Sequence, residues 1–166
     1  MRLFICGGFG QVFDVEAIKK ALPVATQFTS EHRQRYNCAP SQSVYCGLQT
    51  PTHLRFGWLN WGITPSWSKR RIINATWEKA SLSSGFWADW KRCIVPSSGF
   101  YEWEKTSTGK QGYHIHSAKK SVLFFAGLWC WINRETASFV ILTTQSEAWM
   151  NNIHHRQPIL LNPENI

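Results

Sequence analysis

Four polar groups interrupt otherwise apolar stretches of the chain. They are the thiol of Cys6, the amide of Asn74 in Ile73-Asn74-Ala75, the carboxylate of Glu102 in Gly99-Phe100-Tyr101-Glu102-Trp103, and the imidazole of His154 in Ile153-His154-His155-Arg156-Gln157-Pro158. A thiol, a carboxylate, an imidazole and an amide are a kit for attack on a carbonyl carbon. The thiolate attacks, His or Glu moves protons, and the amide holds an oxygen. Each group also has a plain structural use. Glu102 alternates with Phe100 and Glu104 and suits the solvent face of a half-buried strand. Asn74 suits a turn, His154 and His155 suit a helix C-terminus, and a cysteine beside glycine suits a small buried hydrophobe.

The opening Cys6-Gly7-Gly8-Phe9-Gly10 invites a different reading, a glycine loop around a phosphate. The spacing excludes it. A third glycine would have to stand at Phe13, no P-loop lysine follows, and the first helix cap comes only at Asp14. The glycines are expected instead to clear space beside Cys6.

The elements that must position these groups are mainly strands. Short β-branched or aromatic runs, broken by Gly, Pro and Ser-Thr, predict strands over 2–5, 43–48, 53–61, 92–95, 99–104, 112–116, 122–126, 128–131 and 138–143, with a hairpin loop at Thr106–Lys110. Three helices are expected: 15–22 capped by Asp14, a short one from Ser83 or Ser84 to Trp90, and 146–153. The fold class is therefore α+β, a mostly antiparallel, barrel-like sheet with a few peripheral helices. At 166 residues the chain fits one domain.

Composition bounds the partners. Net charge is +8, from 18 Lys and Arg against 10 Asp and Glu, and the ten tryptophans fall in clusters. Cations that track phosphates, interleaved with rings that stack on bases, suit single-stranded nucleic acid. Five cysteines with no C-x-x-C pair predict neither a disulfide framework nor a metal site, and point to a reducing compartment. The apolar run Leu3–Ile5 is too short for a signal peptide or a membrane span.

In chain order, the motifs resemble the SOS-response-associated peptidase family, the abasic-site-processing proteins. They are Cys6-Gly7, Arg35-Tyr36-Asn37-Cys38-Ala39-Pro40, Trp61-Gly62-Ile63-Thr64-Pro65-Ser66-Trp67, Asn74-Ala75, Arg92-Cys93-Ile94-Val95-Pro96, Gly99-Phe100-Tyr101-Glu102-Trp103 and His154-His155-Arg156-Gln157-Pro158. The resemblance implies binding to abasic sites in single-stranded DNA and a covalent thiazolidine through Cys6 as an N-terminal residue, exposed when the enzyme, a cysteine autopeptidase with lyase-like activity, cuts off residues 1–5. It implies Asn74, Glu102 and His154 as the other catalytic residues, and Asn37, Pro40, Trp61, Pro65, Ser66, Trp67 and Arg156 as DNA-facing positions, with Trp61 and Trp67 stacking. No cofactor is implied. A single domain over 6–166, shortened at its C-terminus, is expected, acting as a cytoplasmic monomer that joins the nucleoid when on DNA. Gly8, Thr76 and Trp87 stand where the family has arginines, which predicts weaker phosphate contact. Two alternatives stay open, a non-crosslinking DNA-binding member of the fold and a thiol peptidase acting on other proteins.

Overall fold

A computed structural model describes residues 7–119 and 121–166. Among the described residues twelve strands dominate: β1 (Phe9–Gln11), β2 (Thr26–Phe28), β3 (Arg35–Cys38), β4 (Ser43–Gln49), β5 (Leu54–Trp61), β6 (Asn74–Thr76), β7 (Lys91–Ser97), β8 (Gly99–Thr106), β9 (Gly109–Ile115), β10 (Leu123–Trp131), β11 (Ala137–Gln145) and β12 (Arg156–Pro158). Helix α1 (Val15–Ala21) follows β1, and the single-turn α2 (Trp77–Ala80) follows β6.

The larger sheet closes on itself. β5, β4, β7, β10 and β11 pair in that order, and β11 then pairs with β5 in parallel, giving a ring of five strands. β2, β6 and β12 extend it. A second sheet, ordered β3-β1-β8-β9, lies against it. Closure removes the free edges that an open sheet of short strands would expose. The α+β, barrel-like architecture expected from the sequence is the one observed.

Strand alternation explains the cores. Phe125 and Trp129 of β10 join Phe9, Val44, Cys46, Trp61, Phe100, Phe139 and Ile141 in the principal core, while the intervening Phe124 packs with Tyr45, Phe56 and Ile94 under α1. The two sheets are joined by rings: Phe9 of β1 meets Trp61 at 4.9 Å and Phe125 at 5.6 Å, both edge to face. Gln11, fully buried, completes the joint. Its Nε2 donates to the carbonyls of Tyr45 (2.8 Å) and Pro96 (2.9 Å), and its Oε1 accepts from Tyr45 N. Every amide valence is therefore used, as a buried polar group requires.

Asp14 caps α1 as expected, its Oδ1 accepting from Ala17 N at 2.8 Å. Three expectations change. The runs 122–126 and 128–131 form one strand, because Gly127 does not break β10. It lets neighbours close in, since a Cβ there would stand 2.8 Å from Cys93 Sγ and 2.9 Å from Val140 O. The segment to Trp90 is a series of turns around Gly85 (φ +111°), and the helix falls earlier, at α2. Residues 148–153 likewise form turns, folded around the buried Met150. The expected strand 2–5 lies outside the described residues.

Candidate functional site

Glu102 is the clearest departure from a solvated strand face. It stands in the middle of β8 with no exposed surface, and its Oε1 accepts from Trp103 N at 3.4 Å. Its neighbours explain this. Tyr101, on the opposite face, stacks on His114 and donates its hydroxyl to Tyr36 O at 2.8 Å, so the outer side of the sheet is already taken. A carboxylate kept from water in this way must be hydrogen-bonded or paired, and such groups concentrate at functional sites.

The N-terminal chain enters beside that strand. Gly8 O accepts from Tyr101 N at 3.0 Å, and β1 runs between β3 and β8. A Cβ on Gly8 would come within 3.0 Å of Asn37 Oδ1, and one on Gly10 within 2.6 Å of Ser98 Oγ, whereas one on Gly7 would meet nothing. Gly10 therefore serves strand packing and leaves Gly7 as the open position, which narrows the expectation that all these glycines clear space beside Cys6. Cys6 lies outside the described residues. The four described cysteines are poor nucleophiles. Burial pushes the Cys38 thiol up to about 11, raises Cys46 and Cys93 further, and raises Cys130 as well.

Asn74, His154 and Arg156 gather around β11. β6 pairs in parallel along one edge (Ile141 opposite Asn74), and β12 pairs antiparallel (Gln145 opposite Arg156). Asn74 is half-buried, and the residue before it is held twice: Ile73 O accepts from Trp61 Nε1 at 3.0 Å and from Ile141 N at 3.0 Å. His154 is buried, and its Nδ1 lies 3.1 Å from Arg156 N and 3.2 Å from Arg156 O, so it accepts from the first or donates to the second according to its tautomer. Burial holds its pKa below the ordinary histidine value, opposed by the Arg156 backbone, so the ring is neutral near pH 7.

The Arg156 side chain is engaged within the protein. Nη1 and Nη2 form a bidentate pair with Glu78 at 2.7 and 2.9 Å, and Nη2 also donates to Thr143 O at 2.7 Å. Glu78 was not singled out in the sequence. It lies 78 residues from its partner in the chain, a separation no local pattern reveals. The guanidinium holds the exposed Glu78 carboxyl down at about 2.

The DNA-facing positions divide. Trp61 is fully buried in the core, stacked on Phe139 and edge-on to Phe9, so it offers no face to a base, contrary to the stacking role expected for it. The cause is its place at the end of β5, where β11 covers it. Trp67 is 66% exposed with Phe86 edge-on at 5.4 Å, and suits stacking. Asn37 and Ser66 are exposed, Pro40 is half-buried and Pro65 is buried. Among the described residues, no helix is long and apolar enough to cross a membrane.

Comparison with known proteins agrees with this arrangement. The model of the SOS response associated peptidase (SRAP) family matches residues 5–166. The chain is 35% identical to the abasic site processing protein YoqW of Bacillus subtilis, over 99% of this chain and 76% of that one. It is 30% identical to the abasic site processing protein YedK of Escherichia coli, over 96% and 77% respectively. A solved structure of a phage-related protein from Bordetella bronchiseptica superposes with a TM-score of 0.78 at 28% identity, covering 95% of this chain and 78% of that one. A barrel with a buried Glu102 beside the incoming N-terminal strand, four silenced thiols and a match over nearly the whole chain lead to one statement: the protein belongs to the SRAP family.

Proposed function

We propose that the protein processes abasic sites in single-stranded DNA by forming a covalent adduct through Cys6. The observation that carries this reading is the wholly buried Glu102 on the strand against which Gly8, two residues beyond Cys6, is hydrogen-bonded. The ring-opened abasic sugar offers an aldehyde. Once residues 1–5 are removed, the Cys6 α-amine attacks the aldehyde carbon and water leaves, giving a Schiff base. The Cys6 thiol then adds across the C=N bond, its sulfur to carbon and its proton to nitrogen, and a thiazolidine results. Amine and thiol on one residue make the second step intramolecular. An α-amine titrates near 8, so a useful fraction is neutral at physiological pH.

The roles follow the chemistry of each position. Glu102 passes protons in sugar ring opening and in loss of water. His154, neutral near pH 7, exchanges a proton with the sugar oxygen and assists reversal. Asn74 holds the cysteine backbone or a sugar oxygen. Asn37, Trp67 and the basic surface support the strand, and the protein acts as a monomer.

The test is incubation with an oligonucleotide bearing one abasic site, followed by heating and denaturing electrophoresis, with intact mass of the protein measured in parallel. A heat-stable shifted band that vanishes in Cys6→Ala, together with a mass lacking residues 1–5, is expected. Mature protein that forms no band overturns the reading.

A further inference from the structure

At the far end of β1 and β3 from the Cys6 entry, the surface carries two adjoining grooves. One groove of about 290 Å³ is lined by Ser30, Glu31, Arg33, Arg35, Ser43 and Trp58, and it adjoins a larger one of about 580 Å³ that shares Ser30 and Glu31. Four planar groups build the wall between them. His32 stacks on Phe13 at 4.6 Å and lies parallel to Trp58 at 6.4 Å, and the Arg35 guanidinium sits 5.6 Å over Trp58. The Ser30 backbone is fixed from below, its carbonyl accepting from Tyr45 Oη at 2.9 Å.

Two features point to an occupant. Ser30 Oγ and His32 Nε2 are buried with no hydrogen-bond partner, and such orphans are rare where nothing binds. Arg35 uses Nη1 on Ser43 O (3.2 Å) and holds further donors, while Arg33 is exposed and makes no ion pair among the described residues. Within the smaller groove these two cations face the single carboxylate of Glu31, so it favours an anion, whereas the larger groove adds Asp14 and no Lys or Arg.

The groove lies on a direct path from the candidate site. Gly8 packs beside Asn37, and Gln11 stands opposite Arg35 in the β1–β3 register. Three residues of strand cover about 10 Å, which is about three nucleotides at a stacked rise of about 3.4 Å. We propose that this groove is a phosphodiester-binding subsite, in which Arg33, Arg35 and Ser30 hold a backbone phosphate of the same DNA strand about three nucleotides from the lesion. The inference rests on the abasic-site reading above and adds a fixed second anchor, which sets how much strand the protein needs.

Oligonucleotides carrying a non-reactive abasic analogue, lengthened one nucleotide at a time on each side separately, test this by fluorescence anisotropy. Adduct formation is followed in parallel on the reactive abasic series. Affinity is expected to step up by about 3- to 10-fold when about the third phosphate on one side is added, with the salt slope steepening there by about 0.7. Arg33→Gln/Arg35→Gln should erase that step and leave the adduct rate at saturating DNA unchanged. Arg33→Gln alone, at an exposed position that spares the Trp58 stack, should shrink it. A smooth rise with length, or a step that survives in both variants, overturns the subsite even if adducts form. Absence of adducts with every length instead overturns the abasic-site reading, while a step in analogue binding that both variants reduce still supports the subsite.

Discussion

Nδ1 of His154 lies 3.1 Å from the backbone N of Arg156 and 3.2 Å from its carbonyl oxygen, so the Arg156 backbone orients the ring in either tautomer. Burial holds the pKa of His154 below the ordinary histidine value, which favours the neutral ring near pH 7. The proposed proton exchange with the sugar then uses a neutral imidazole. His154→Ala is expected to slow adduct reversal by about 10²- to 10⁴-fold, while leaving binding to a non-reactive analogue within a few-fold. Single-turnover release from preformed adduct measures this, and an unchanged rate removes His154 from the chemistry.

The same burial has a cost in acid. His154, His32 and His114 all have pKa values lowered chiefly by desolvation. Between those folded values and the unfolded value near 6.5, the unfolded chain binds more protons, so stability falls as pH drops through this window and levels off below it. Melting temperature should decline from pH 7 toward pH 5, and His154→Gln or His32→Gln should flatten the decline. A melting temperature constant across that range excludes the linkage.

Glu78 holds the Arg156 fork, which is expected from the resemblance to face DNA. Glu78→Gln should release it, raising affinity for single-stranded DNA and steepening the salt slope by about 0.7 for one added phosphate contact. The same titration on Glu78→Gln/Arg156→Gln should return both to the starting values or below. If the single variant binds no more tightly, Arg156 is a structural clamp joining β12 to α2.

Trp61 and Trp67 share one motif and have opposite fates. Trp61→Ala removes a buried ring and the Nε1 bond to Ile73 O, and should destabilise the fold by about 3–5 kcal/mol. Trp67→Ala should leave the melting temperature nearly unchanged and weaken DNA binding by about 1–3 kcal/mol. Trp61→Phe keeps a ring in the core but removes one of the two hydrogen bonds on the carbonyl just before Asn74, so it should lower adduct rate more than stability. Equal effects of the two alanine variants on denaturant midpoints contradict this division.

What the sequence reveals and what it hides both have physical causes. The long strands and the Asp14 cap are local, written in alternation and in a side chain that reaches its own helix. The strands Phe9–Gln11, Asn74–Thr76 and Arg156–Pro158 carry no such signal. Each has only three residues, and its conformation is imposed by the partner it borders. The residue types at the site are visible in the motifs. The burial of Glu102 is not, because Phe100, Glu102 and Glu104 share one face of β8 and two acids there suit a wet face, so that only tertiary packing decides that this side is dry. The fate of Trp61 depends on β11 in the same way.

Glu102 supplies the sharpest test of the mechanism. It is the fully buried carboxylate in β8, and Tyr101 beside it ties that strand to Gly8. Glu102→Gln preserves shape and keeps an amide oxygen facing Trp103 N, so the fold should survive with a normal melting curve. It cannot accept and return a proton, so adduct formation should slow by about 10²- to 10⁴-fold, with DNA affinity retained. Glu102→Asp should recover part of the rate, since the shorter side chain still carries the acid. Quenched-flow measurement of adduct on abasic single-stranded DNA separates the cases. A Gln variant within threefold of the parent rate, at matched saturation, would mean that the buried carboxylate serves the fold and that ring opening relies on His154 instead.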